Sequence, residues 1–476
     1  MNILHVSAEC SPFVKVGGLA DVVGTLPQEI KRLRNMETRV IIPYYQSVIN
    51  RFGSKTTHVT HFSIALGTKR SVYVGIESLK RGNILYYFVD NIFYFGSRSD
   101  YYNYGDESER FAFFQIAVLE AVKRIDFKPD IIHVHDWHTA VIPLLIKRRY
   151  HDIHAKTVLS IHNLQYQGIF PLEDAQLFQL EDQSLSHEGN LNFLRAGIET
   201  SDLIVTVSRT YATEIMTDYY GYGMQRLLRE HSDKVIGILN GISTREYNPE
   251  TDRLLAERYS VRDFRSGKKK NRDALEKRLK TSYASDLPLI GIVSRLVSQK
   301  GFDLIRRVFD EMLEQSEFNL VVLGDGESEY VDYFRGLEIR HPHHVSVTIG
   351  YDNQLAHLIY AASDLFLMPS KFEPCGLSQM IAMRYGSIPI VRETGGLVDT
   401  VTPFNEYEMT GNGFSFTHFN AHDMMYVIRY ALRLHQLPHI WDCIVDHAMA
   451  ADFSWVRSAK EYRQAYRGLF KKRLEE

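Results

Sequence analysis

Arg295 and Lys300 lie five positions apart in Ser294–Gly301 (SRLVSQKG). Their types suit a diphosphate, because a planar guanidinium fork and a point-charge ammonium complement each other on phosphate oxygens. Such a pair can stabilise a departing diphosphate without a metal. Two surface cations with no ligand are the plain alternative. The segment Pro369–Gln379 (PSKFEPCGLSQ) offers a second cluster. Glu373 can accept hydrogen bonds from sugar hydroxyls, and the backbone of Cys375, Gly376 and Leu377 precedes a helix whose start offers N–H groups to an anion. Cys375 as a nucleophile is a rival reading, since helix starts lower thiol pKa values.

The first half of the chain carries its own candidates. Lys15-Val16-Gly17-Gly18-Leu19-Ala20-Asp21 joins a cation to a glycine pair ahead of a helix expected to run to about Arg34. Paired glycines let a ligand approach the backbone, though a plain Gly-Gly turn competes. Pro129–Thr139 (PDIIHVHDWHT) delivers His133, His135, Asp136, Trp137 and His138 at a strand end. Buried hydrogen bonding competes there with substrate contact by Asp136 or Trp137. A shared metal is disfavoured, because His133 and His135 occupy one strand face while Asp136 begins the loop. His162 and Asn163 end a further strand, and Asn240-Gly241 reads as a turn near a hinge.

These loops require strands to position them. Short apolar runs recur at Asn2–Ser7, Arg39–Pro43, Asp130–His135, Thr157–Ile161, Asp202–Ser208, Pro288–Val293, Asn319–Leu323, His344–Ile349, Asp364–Pro369 and Ser387–Val391. Near-continuous Val/Ile/Leu runs suit strands buried on both faces of a parallel sheet. Helical stretches between them argue for α/β architecture. The series restarts near residue 288, which predicts two doubly wound, Rossmann-like domains, 1–243 and 244–454, facing a deep cleft. The tail reads as helical from Asp452 to Lys472. The C-terminal helix, about 455–476 as a domain segment, is a candidate to pack back on the first domain. Ser71–Glu77 and Asn83–Asp90 read as an inserted hairpin, and the basic stretch Arg262–Lys280 as a solvated helix and loop, with a phosphate-binding patch as the rival reading.

Composition bounds the partners. The 476 residues include 55 Lys+Arg and 58 Asp+Glu, a net charge of −3, which gives no reason to expect a nucleic acid held by bulk charge. No apolar run is long enough to span a membrane, and the first residues do not read as a signal peptide. A soluble, cytoplasmic protein is expected. Cys10, Cys375 and Cys443 are widely spaced, so neither a disulfide framework nor a zinc site is expected. Nothing in the sequence specifies an oligomeric state.

Taken together and in order, KVGGLADVVG, HVHDWHT, SIHNLQYQG, ILNGI, VSRLVSQKG, SKFEPCGLSQM, ETGGLVDTV and DFSW resemble the bacterial glycogen synthases, retaining glycosyltransferases of family five with the two-Rossmann-domain GT-B fold. The resemblance runs from Ile3 to Tyr466. It implies transfer of glucose from ADP-glucose to the non-reducing end of an α-1,4-glucan, without a cofactor or metal. It implies that Lys15, Gly17 and Gly18 lie against the diphosphate and the transferred glucose, and that Asp21 and Asn240 touch the donor or acceptor. Arg295 and Lys300 would hold the diphosphate as leaving group, and Glu373 with the Cys375-Gly376-Leu377 backbone would bind glucose. His162 would sit beside the anomeric carbon with Asp136 and Asn163 nearby. Tyr351 would stack on adenine, and Tyr104 matches a sugar-contacting tyrosine more loosely.

Two positions depart from broader patterns. Ile381 stands where many related transferases carry a second Glu, as is common in bacterial glycogen synthases. Ser243 stands where the family usually has Asp. The implied chemistry is front-face substitution, resting on positioning and leaving-group stabilisation, since no paired carboxylates of the glycosidase kind are evident. The 28 tyrosines suit sugar contacts, with Tyr101-Tyr102-Asn103-Tyr104 and Tyr219-Tyr220-Gly221-Tyr222 as candidate acceptor contacts. A phosphorylase-like enzyme, a silent glucan-binding paralogue and a UDP-sugar transferase are the rivals.

Overall fold

Each apolar run named above contains a strand in the computed structural model, which describes residues 1–67, 70–180, 185–284 and 286–471. The chain divides into two units, Met1–Asn240 with the segment from Trp455 onward, and Gly241–Ser454. The division therefore falls at 240/241, slightly before the 243/244 expected from the sequence.

The first unit holds β1 (Asn2–Val6), β2 (Glu37–Pro43), β3 (Thr57–Leu66), β4 (Arg70–Arg81), β5 (Ile84–Asp90), β6 (Ile131–His135) and β7 (Lys156–Ile161). A small antiparallel sheet follows, of β8 (Ile169–Pro171), β9 (Ser186–His187) and β10 (Asn190–Asn192), then β11 (Leu203–Thr206) and β12 (Val235–Gly237). The main sheet runs β12-β11-β7-β6-β1-β2-β5-β4-β3. It is parallel from β12 to β5, where fully buried runs such as Ile131–His135 accept ladder bonds from both sides. The expected hairpin forms, β4 and β5 pairing antiparallel, but it is part of the main sheet and not a separate insertion. β5 pairs in parallel with β2, and β4 and β3 extend the sheet antiparallel beyond it. β3 escaped notice because its exposed positions alternate with partly buried ones instead of forming an apolar run.

The C-terminal helix, Trp455–Lys471, belongs to the first unit. Trp455, Ala459, Tyr462 and Tyr466 recur at helical spacing and join Ile3, Val22, Leu26 and Ile131 in one buried cluster. The helix begins at Trp455, so the expected start at Asp452 was early. Asp452 instead accepts a hydrogen bond from the Ser454 N–H through its side chain. The last five positions of the expected segment, 472–476, lie outside the described residues.

The second unit holds β13 (Leu289–Val293), β14 (Asn319–Gly324), β15 (Val345–Ile349), β16 (Leu365–Met368), β17 (Ile388–Arg392) and β18 (Phe414–Phe416). All are parallel, in the order β15-β14-β13-β16-β17-β18. That is the doubly wound order in which strand sequence reverses beside the first strand, and ligands bind at such switch points. The switch lies between β13 and β16. In the first unit the reversal lies between β1 and β6. The basic stretch forms the helix Phe264–Leu279, which is not wholly solvated: Lys268 is buried, and its Nζ donates to the Tyr385 carbonyl at 3.1 Å. Among the described residues no helix is long and apolar enough to cross a membrane.

Candidate functional site

In the first unit the candidates gather at the carboxyl ends of β1, β6 and β7, three adjacent strands. After β1 the chain runs through Lys15 to Gly17, which caps a helix at Gly18–Arg32 without any side-chain cap bond. A Cβ added at Gly17 or Gly18 would meet nothing within 4 Å. Local contacts therefore do not demand glycine there, and the open backbone with its free helix N–H groups is a surface for an anion. Lys15 Nζ pairs with Asp21 at 2.7 Å, which holds a cation over that helix start.

Glu9 organises this loop, a role that the sequence reading missed. Its Oε2 accepts from the N–H groups of Val16 at 2.7 Å and Gly17 at 3.1 Å, and its Oε1 accepts from the Tyr102 hydroxyl at 2.7 Å. The signal available was a carboxylate at the end of β1, a few residues ahead of the glycine pair. Tyr102, rather than Tyr104, thus reaches the loop. Tyr104 is held elsewhere: Arg98 and Arg110 stack on its ring at 4.6 and 5.3 Å, and its hydroxyl accepts from the Asp100 N–H. Tyr101 donates to Ser47, so the tyrosine cluster is largely engaged within the unit.

Asp136, at the end of β6, has φ 55° and ψ −176°. This region is essentially reserved for glycine, and a strained non-glycine residue there points to a functional constraint. Its Oδ1 accepts from the His162 N–H at 2.7 Å, across the β6–β7 pair. Burial pushes its carboxyl up to about 7, against the pull of the His162 and Asn163 amides. The adjoining histidines form a chain. His162 Nε2 lies 3.1 Å from His135 Nδ1, and His135 Nε2 lies 3.2 Å from His5 Nδ1. Burial pushes His162 and His5 down to about 3 and holds His133 and His135 well below the usual value, so all four rings are neutral near pH 7.

His5, His133 and His135 are also the one group among the described residues spaced to hold a metal ion. Both nitrogens of His133 bond to Ser160 and Tyr466 at 2.7 Å, and both of His135 face His5 and His162, while His5 Nε2 has no partner. Asn163 shapes the next turn by accepting from the Gln165 N–H. Asn240, buried beyond β12, donates its N–H to the Val207 carbonyl, and its Oδ1 is a buried acceptor without a protein partner. Ser243 caps a turn, its Oγ accepting from the Glu246 N–H at 3.3 Å.

In the second unit Arg295 and Lys300 follow β13, and Glu373 follows β16, so the switch point brings them together. A cavity of about 180 Å³ opens there, lined by Arg295, Lys300, Ser294, Pro369, Ser370 and Ser378 among others. Lys300 Nζ sits 2.6 Å from Glu373 Oε2, which also accepts from the Ser370 hydroxyl at 2.9 Å. Arg295 is exposed. Two glycines fix this geometry. At Gly301, φ is +75° and a Cβ would lie 1.9 Å from the Pro369 carbonyl oxygen. At Gly395, φ is +47° and a Cβ would lie 2.0 Å from the Glu373 carbonyl oxygen. The second glycine pair, Gly395-Gly396, is therefore a close-approach device beneath the Glu373–Cys375 segment, which the Gly396 N–H ties down by donating to the Glu373 carbonyl.

Cys375 is buried, and Gln379 donates to the carbonyls of Cys375 and Gly376 at 3.2 and 2.9 Å, bracing the turn before Leu377. Ile381 is an interior side chain of the following helix. Tyr351, after β15, stands apart from this cluster. The residue is 80% exposed, and its hydroxyl donates to Asn353.

This chain resembles known proteins along its whole length. Residues 2–230 match the family model described as starch synthase catalytic domain, and residues 273–442 match glycosyl transferases group 1. It is 47% identical to a glycogen synthase of Geobacillus thermodenitrificans, over 99% of this chain and 98% of that protein. It is 46% identical to a glycogen synthase of Bacillus subtilis, over 98% of each. Among solved structures, the catalytic domain of starch synthase IV from Arabidopsis thaliana, bound to ADP and acarbose, matches with a TM-score of 0.87 at 34% identity, covering 98% of this chain and 99% of that one. A sucrose-phosphate synthase from Thermosynechococcus elongatus shares the fold, with a TM-score of 0.62 at 16% identity.

Proposed function

The chain belongs to the glycogen synthase family of glycosyltransferases, and from that premise we propose that it transfers glucose from ADP-glucose to the non-reducing end of an α-1,4-glucan with retention of the anomeric configuration. The observation that carries the reading is the cation-lined cavity at the β13/β16 switch point, with Arg295 and Lys300 at its mouth and Glu373 paired to Lys300. A diphosphate bound there meets a fork and a point charge, which stabilise it as it departs. Glu373, with the Cys375-Gly376-Leu377 backbone, takes the glucose hydroxyls. Tyr351 stacks on the adenine.

In the first unit Lys15, Gly17 and Gly18 contact the diphosphate and glucose, with Asp21 as the partner of Lys15. His162, neutral at its post, sits by the sugar, with Asn163 beside it and Asp136 holding the turn through the His162 N–H. Asn240, whose Oδ1 is free of protein partners, reaches the donor or acceptor. Charge develops on the leaving diphosphate and on an oxocarbenium-like sugar, and catalysis rests on positioning and electrostatics. Tyr104 is the weakest member of this set, since Arg98 and Arg110 hold its ring and the Asp100 N–H its hydroxyl. The proposed setting is the cytoplasm.

The test is incorporation of labelled glucose from ADP-glucose into glycogen, followed by digestion with an exo-acting α-1,4-glucan hydrolase. Label released early from non-reducing ends supports the reading. Label that resists digestion, or no incorporation, contradicts it.

A further inference from the structure

His135 is wholly buried in the first unit's sheet and touches no solvent, yet it stands directly behind the half-buried His162. The three rings His162, His135 and His5 form a chain of two hydrogen bonds, at 3.1 and 3.2 Å. The far end of the chain, His5 Nε2, is buried without a partner. The neighbouring His133 is tied off separately to Ser160 and Tyr466.

A neutral imidazole carries one N–H, so the chain has two proton orders. In the first, His162 donates from Nε2 to His135 Nδ1, and His135 donates from Nε2 to His5 Nδ1. His5 then carries its proton on Nε2, where it is a buried donor with no acceptor. In the second, His5 Nδ1–H donates to His135 Nε2, and His135 Nδ1–H donates to His162 Nε2. Only a lone pair on His5 Nε2 is then unmet. An orphaned buried N–H is the rarer and costlier defect, so the second order prevails. It occupies His162 Nε2 as an acceptor and leaves the His162 proton on Nδ1.

We propose that His135 is a positioning residue that fixes His162 as the Nδ1–H tautomer, so that His162 presents a hydrogen-bond donor to the sugar and not the lone pair of a general base. The proposal deepens the assignment of His162 to the sugar site and rests on it. Burial holds the three rings neutral, in keeping with this order. No proton leaves the chain during turnover.

The experiment is a long-range 1H–15N correlation spectrum of the full chain labelled with 15N-histidine, with His162 assigned by its loss in His162→Gln. The expected spectrum shows Nδ1 protonated and Nε2 bare; a proton on Nε2 overturns the proposal. In His135→Phe, His162 loses its inner donor, and a mixture of tautomers with kcat lowered about tenfold is expected. In His135→Gln the single amide can accept from His5 and donate to His162, so the wild-type tautomer and most of kcat return. A merely structural role predicts no such rescue, and His135→Phe with the wild-type tautomer and rate overturns the proposal. Should both variants fail to fold, the wild-type spectrum alone decides. A wild-type rate in His162→Ala would sink the sugar-site assignment while leaving the tautomer to be read from the spectrum.

Discussion

Lys300 Nζ and Glu373 Oε2 are 2.6 Å apart, joined across the loops that leave β13 and β16, and both side chains are largely withdrawn from solvent. The pair sets a carboxylate beside Lys300, which lines the cavity, so that a cation suited to phosphate oxygens and an acceptor suited to sugar hydroxyls are neighbours. Lys300→Ala is expected to lower kcat by about 100-fold or more, the scale of losing one transition-state charge contact. Because removing one partner leaves Glu373 supported by Ser370 alone, the thermal midpoint falls as well, by a few degrees. Circular dichroism beside steady-state kinetics separates the two effects, and near-normal turnover in a folded variant would refute the role of Lys300.

The Glu9 carboxylate holds the glycine loop by two backbone N–H bonds and anchors Tyr102 with its other oxygen. In Glu9→Ala those donors lose their acceptor, at a cost of about 1–3 kcal/mol. The expected outcome is a raised KM for the sugar nucleotide and a kcat lowered about tenfold. Glu9→Gln, which keeps an acceptor oxygen, is expected to fall between the two. Equal kinetics for wild type and Glu9→Ala would show that the loop is ordered without it.

Asp136 binds its proton more tightly in the fold, with a pKa raised to about 7 from 3.8. Between those values the folded chain holds a proton that the unfolded chain has released. The stability this group contributes is therefore complete below about pH 4 and is lost as pH rises through 7. Asp136→Asn removes that dependence, so its stability relative to wild type should improve from pH 5 to pH 8 in urea titrations. Its kcat/KM should fall, and any wild-type dependence of kcat/KM on pH near 7 that comes from this group should be absent in the variant.

Lys268 carries the opposite sign. Burial lowers its pKa to about 7 from 10.5. The folded chain thus lacks a proton that the unfolded chain keeps between those values, and stability falls as pH drops from above 10 through 7. Lys268→Met is expected to stabilise the protein at pH 6 by about 1–3 kcal/mol, with the gain shrinking toward pH 10. A gain independent of pH would show that the ammonium is not the source.

Much of this was legible in the chain. Most of the parallel strands announced themselves as apolar runs, though β5, β12 and β18 did not, and the chemistry-bearing loops follow them because strand ends and loops are adjacent in sequence. Long-range partners were not legible. Glu9 and Tyr102 are 93 positions apart, and no local spacing signals that contact. His5 reads as an ordinary strand residue until β1 and β6 lie side by side. β3 was missed for want of an apolar run, and Lys268 looked solvated because two neighbouring lysines share its composition but not its helix face. The glycine pair in ETGGLVDTV carried no sign of its reason, since its need for glycine comes from the Glu373 and Cys375 backbone, more than 20 positions away in sequence.

The central claim is glucosyl transfer from ADP-glucose, and the most direct test is an initial-rate assay on glycogen with ADP-glucose and UDP-glucose in parallel. Incorporation with ADP-glucose is expected at a kcat/KM well above that with UDP-glucose. Incorporation with neither donor, or a clear preference for UDP-glucose, would contradict it.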